Sequence, residues 1–89
     1  MLFMTIFTYD PDHRDAVQKR VVSKGTMIPK GAKELGVWSA VGGGRVFRLL
    51  DVDDPRIMYQ GTRAWSDLGS IEVVPVMDTA DVVKMLKKK

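Results

Sequence analysis

The chain contains no cysteine and a single histidine, His13. The first absence excludes disulfide scaffolding, thiolate metal sites and thiol catalysis, and it suits a cytoplasmic protein. The second leaves little for a metal centre, which usually gathers several His, Asp or Glu ligands at workable spacing. No apolar run approaches the roughly 20 residues of a membrane helix, so no membrane partner is expected. Met1-Leu2-Phe3-Met4 is apolar, but it lacks the basic n-region and small-residue cleavage site of a signal peptide. A basic binding face is missing as well. The formal charge is +3, and Lys87, Lys88 and Lys89 account for that surplus. The rest of the chain is near neutral, which gives nucleic-acid binding little support.

What is present is ordered patterning. The 89 residues make one domain spanning 1–89. A domain this small buries only about 60–65% of its unfolded surface, so its core is thin and oligomerisation is a common remedy. Residues 2–9 alternate as a strand, with Leu2, Met4 and Ile6 on one face and Phe3, Thr5, Phe7 and Tyr9 on the other. Both faces are largely apolar, which places this strand mid-sheet and covered on both sides. Asp10-Pro11-Asp12 opens a helix, with an aspartate as its cap and Gly25 as its end. Residues 25–33 form a loop. A strand over 35–41 carries Trp38, Gly42-Gly43-Gly44 makes a tight connection, and a strand over 45–52 follows.

Asp53-Asp54-Pro55 then opens a second helix over 55–68, with Ile57, Met58, Gly61, Trp65 and Leu68 on one face. The last strand, 71–77, contains Pro75, which belongs on a sheet edge because it donates no ladder hydrogen bond. Asp78-Thr79-Ala80-Asp81 starts a short final helix with Val82, Val83 and Leu86 as its apolar side. The order is β-α-β-β-α-β. The fold class is α+β: a ferredoxin-like sandwich with a four-stranded antiparallel sheet of spatial order 4-1-3-2 and two helices on one face.

Several segments resemble a known family. Met1-Leu2-Phe3-Met4, Tyr9-Asp10-Pro11, Gly42-Gly43-Gly44-Arg45, Asp53-Asp54-Pro55, Trp65-Ser66-Asp67-Leu68 and Glu72-Val73-Val74-Pro75-Val76 look like members of domain of unknown function 3303. The likeness covers almost the whole chain. That family is similar in pattern to the dimeric α/β barrels, in which two ferredoxin-like units pack sheet against sheet. The resemblance implies a homodimer through the open sheet face. It implies no reaction and no catalytic residue.

Each candidate for chemistry has a plainer explanation beside it. His13 sits in a helix first turn among Asp10, Asp12 and Asp15, where capping explains the acids. Gly42-Gly43-Gly44-Arg45 leads into a strand rather than a helix N-terminus, so it is a hairpin turn and not a phosphate cradle. Ser66 has no histidine on any obvious path to it, and Trp65 packs in the core. Arg45 to Leu50 offers one aromatic, Phe47, and lacks the glycine of an RNA-recognition strand, so no specific nucleic acid is expected.

Arg48 and Glu72 stand apart. By alternation Arg48 shares a face with Val46 and Leu50, and Glu72 with Val74 and Val76. Charges on buried faces need partners or a polar cavity. An ion pair is the plain explanation. The functional one is a ligand cavity lined by Tyr9, Trp38, Arg48 and Glu72 that holds a small polar or anionic molecule. No cofactor, metal or catalytic residue is called for. The leading expectation is therefore a noncatalytic or weakly catalytic homodimeric binder of a small molecule. A cofactor-independent monooxygenase- or isomerase-like enzyme and a pure protein-interaction module are the alternatives.

Overall fold

The computed structural model describes residues 1–88. Its elements follow the expected order: β1 (Leu2–Thr8), α1 (Arg14–Lys24), β2 (Ala32–Ser39), β3 (Arg45–Val52), α2 (Pro55–Thr62), β4 (Ser70–Val76) and α3 (Thr79–Lys87). The four strands form one antiparallel sheet in the order β2-β3-β1-β4. β1 is central and apolar on both faces. Pro75 falls on β4, an edge strand, where a missing N–H disrupts no second ladder.

The sheet's odd β1 residues face α1 and α2. Phe3 packs with Leu50, Val52 and Met58. Phe7 packs with Val17, Trp65 and Leu68. The two clusters are the core, and β1 contributes one phenylalanine to each. The opposite face carries Leu2, Met4 and Ile6 with Phe47 and Leu49 of β3 and Val74 and Val76 of β4, all partly accessible.

Local structure departs from the sequence expectation at four places. β2 begins at Ala32 and ends at Ser39 rather than running over 35–41. At its end, the Ala40 N–H donates to the Arg45 carbonyl at 2.9 Å and the Gly43 N–H to the Ala40 carbonyl at 2.9 Å. The turn therefore takes in Val41, and Gly43 and Gly44 supply its positive φ angles of 83°. Within β2 the register shifts between Glu34 and Gly36. This β-bulge at Leu35 puts Glu34 and Val37, three residues apart, on the same face.

α2 stops at Thr62 instead of reaching Leu68. The N–H groups of Arg63, Ala64 and Trp65 return to carbonyls three residues back at 3.2, 3.4 and 3.4 Å, the tighter 3₁₀ pattern. This winding carries Trp65 and Leu68 into the core beneath α1. The entry to α1 also differs. Asp10 makes no side-chain cap; its carbonyl accepts from His13 N–H at 2.9 Å in a 3₁₀ turn over Pro11–His13. The other two helices are capped by aspartate: Asp54 accepts from the Arg56 N–H at 3.0 Å and Asp78 from the Ala80 N–H at 2.8 Å.

Leu50 is 1% exposed and joins β3 to α2 through Met58. Leu50→Ala is expected to destabilise the fold by about 2–5 kcal/mol, since a core this small has few neighbours to close the void. Urea unfolding followed by far-UV circular dichroism measures it; a loss below about 1 kcal/mol would mean this cluster is not the core.

Candidate functional site

A cavity of about 60 Å³ lies between the sheet and the two covering helices. Its sheet side is formed by Thr5, Phe7, Val46 and Arg48; Val17 and Val21 of α1 and Met58 and Thr62 of α2 close the other side. Thr26 and Pro29, from the loop after α1, and Trp65 complete it. The lining is mostly apolar with a few polar groups, the usual composition of a small-molecule site.

Arg48 is the one charged group in that lining. Its side chain is 14% exposed and its Nε lies 3.4 Å from Glu34 Oε2. Its Nη2 donates to the Thr26 carbonyl, and Thr26 Oγ1 donates to Glu34 Oε2 at 3.0 Å. A strand, a bulged neighbouring strand and a loop thus meet on one ion pair. Burial pulls the Arg48 guanidinium below its ordinary pKa, and Glu34 opposes that shift. Arginine starts so far above neutrality that it stays charged. No acceptor for Nη1 is found among the described residues.

Trp65 contributes a second donor. It is 6% exposed, and its buried Nε1–H has no hydrogen-bond partner among the described residues. Such a group costs about 1–3 kcal/mol unless something satisfies it. The indole is fixed in place by its neighbours. The Phe7 ring centroid lies 5.6 Å away, and the Arg20 guanidinium lies over the indole at 5.5 Å. Arg20 also holds Asp67 in a bidentate pair at 2.8 and 2.7 Å and donates to the Ala64 carbonyl at 2.9 Å. α1 is thereby tied to the turn that carries Trp65.

The four residues named from the sequence do not gather at one point. Arg48 lines the cavity. Tyr9 is on the same side of the sheet, stacked against Phe7 at 5.5 Å, but outside the cavity lining. Trp38 and Glu72 stand on the opposite face, Trp38 54% exposed and Glu72 across from Ile6. The Trp38 ring covers Gly36, where an added Cβ would run into the indole. Sequence reasoning missed Glu34, Thr26 and the role of Trp65. Glu34 pairs with Arg48 only because of the Leu35 bulge, which alternation does not reveal. Ser66 donates to the Arg63 carbonyl at 3.2 Å from an exposed position. No group of three or more potential metal ligands occurs among the described residues.

A family model for a domain of unknown function, DUF3303, matches residues 1–89. The chain belongs to this family. Its membership assigns no activity. No curated protein matches the chain. Among solved structures, the chain is similar to a candidate antibiotic biosynthesis monooxygenase from Deinococcus radiodurans. The two share 14% identity over 86% of this chain and 92% of the other, with a TM-score of 0.49.

The Arg20 contact holds the Asp67 carboxyl at a pKa of about 2, below the usual 3.8. A depressed folded-state pKa stabilises the fold above the unfolded value, and that contribution is lost as pH falls through the folded value. Thermal unfolding of the native chain should therefore lose stability between about pH 4 and pH 2, and Asp67→Asn should lose less over the same interval. Parallel acid limbs for the two proteins would show that the pair is not formed.

Proposed function

We propose that the protein binds a small molecule bearing acceptor oxygens in the cavity beside Arg48, and that it does so as a homodimer joined through the open sheet faces. The observation that carries the binding reading is Arg48, a charged side chain only 14% exposed, in a mostly apolar cavity whose wall also includes Trp65, the residue with the unpartnered Nε1–H. A carboxylate or carbonyl oxygen would satisfy the indole and accept from Arg48 Nη1. Glu34 already balances most of the Arg48 charge, so the site favours a polar or singly anionic head over a multiply charged one. The apolar walls from Phe7, Val17 and Val46 suit a short hydrocarbon body.

In this reading Arg48 is the ligand-binding member of the four named residues. Tyr9 supports the Phe7 wall, and Trp38 and Glu72 belong to the subunit interface. The motive for the dimer is the uncovered sheet face, whose central residues Met4, Ile6, Phe47 and Leu49 are apolar. A contiguous apolar surface of this kind marks an interaction site.

Butyrate and its neutral analogue butyramide are suitable probes. Titration of isotope-labelled protein, read at the Trp65 indole N–H resonance with Trp38→Phe for assignment, should show butyrate binding with a dissociation constant of about 1 mM. Arg48→Met should weaken butyrate by roughly tenfold or more and butyramide less. Absence of any indole shift with either probe would overturn the binding reading.

A further inference from the structure

We propose that the ligand of the Arg48 cavity is a straight-chain dicarboxylate. One carboxylate lies beside Arg48, the chain leaves between Pro29 and Gly61, and the second carboxylate meets Lys30 in a groove outside. The inference rests on the binding reading of the preceding section and adds the ligand class and its path.

The groove, of about 240 Å³, adjoins the cavity along α2 and the loop after α1. α2 and the turn after it border both spaces. Met58, Gly61, Thr62 and Trp65 share one row at helical spacing and line the cavity. Ile57, Gln60, Gly61 and Ala64 form the neighbouring row and line the groove. Gly61 is the member common to the two rows. The loop divides in the same way. Thr26 borders the cavity, Met27 and Lys30 border the groove, and Pro29 borders both. Cavity and groove therefore meet at Pro29 and Gly61.

That boundary is closed by a ring lying on a bare helix backbone. A Cβ added at Gly61 would run into the Pro29 ring. Gly61 is helical and has no positive φ, so its missing side chain serves this close approach and not the backbone conformation. No hydrogen bond joins the loop to α2 among the described residues. The loop's ties run to the sheet instead. The Thr26 carbonyl accepts from Arg48, and Thr26 Oγ1 donates to Glu34. Gly25 and Gly31 bound the loop at positive φ angles of 69° and 92°. Pro29 can thus lift from Gly61 without breaking a hydrogen bond.

Size and charge then select the ligand. The cavity of about 60 Å³ has the room of roughly two water molecules, each taking about 30 Å³ in the liquid. It accepts a carboxylate head and the first carbons of a chain. A longer chain needs more space, and the groove supplies it. Met27, Ile57 and Ala64 suit its methylenes. Lys30 is the one charged residue of the groove lining. It is exposed and pairs with no carboxylate among the described residues. A cation at each end of a mostly apolar path suits a molecule with an anion at each end.

Titration read at the Trp65 indole N–H, with Trp38→Phe for assignment, tests the path. The probes are the diacids from pentanedioate to octanedioate, with butyrate and hexanoate as monoacid references. Lys30→Gln should weaken the tightest diacid roughly threefold, the strength of a solvent-exposed ion pair, and leave hexanoate unchanged. Gly61→Ala places a methyl in the chain's path, and should weaken hexanoate roughly tenfold and butyrate less. Butyrate binding combined with equal effects of Lys30→Gln on diacid and hexanoate overturns this proposal only. So does Gly61→Ala acting alike on hexanoate and butyrate. An indole resonance that moves with none of the acids overturns the proposal and the binding reading together.

Discussion

A sheet has two faces, and two helices cover one. Nearly everything else in this molecule depends on that inequality. β1 is apolar on both sides because it runs through the middle of the sheet. One side supplies Phe3 and Phe7 to the two core clusters. The other supplies Leu2, Met4 and Ile6 to a surface on which no part of the described chain is seated. A small domain gains stability chiefly by removing apolar area from water. The apolar area on that side leaves water fully only where another surface covers it.

The same layering creates the cavity. Where helices pack closely on a sheet, the gap fills with side chains. Here the gap between α1 and α2 holds Arg48, a long polar side chain in a row of branched apolar residues. Its charge is tolerated because the β2 bulge brings Glu34 to 3.4 Å and the loop after α1 contributes the Thr26 carbonyl. Removing one member of such a pair leaves an uncompensated charge, so the three elements constrain one another. The Arg20–Asp67 clasp does a parallel service for Trp65, which it holds over the same space. The cavity is thus lined by Arg48 and Trp65 as well as by apolar side chains.

Much of the fold was legible in the sequence because it rests on alternation, capping and turn chemistry. The two apolar faces of β1, the glycine turn, the helix starts at Asp54 and Asp78 and the edge position of Pro75 all follow local rules. The departures share one cause. The Leu35 bulge, the 3₁₀ winding of residues 63–68 and the uncapped start of α1 change the chain's local period, and each is decided by tertiary packing. The site was legible only in part for that reason. Alternation placed Arg48 correctly beside Val46 and Leu50, but it gave no relation between faces of different strands. Trp38 and Glu72 were consequently grouped with Arg48 although they lie across the sheet from it. Glu34 was hidden behind the bulge. The Trp65 indole looked like plain core, and only its missing acceptor distinguishes it.

The central claim is that the open sheet face is a subunit interface. Sedimentation equilibrium of the full chain at tens to hundreds of micromolar tests it most directly. The account predicts a species of twice the 10.0 kDa chain mass, dissociating when Met4 or Leu49 is replaced by lysine. A species that stays at 10.0 kDa across that range would contradict it, because the apolar face of the sheet would then stand in water without a partner.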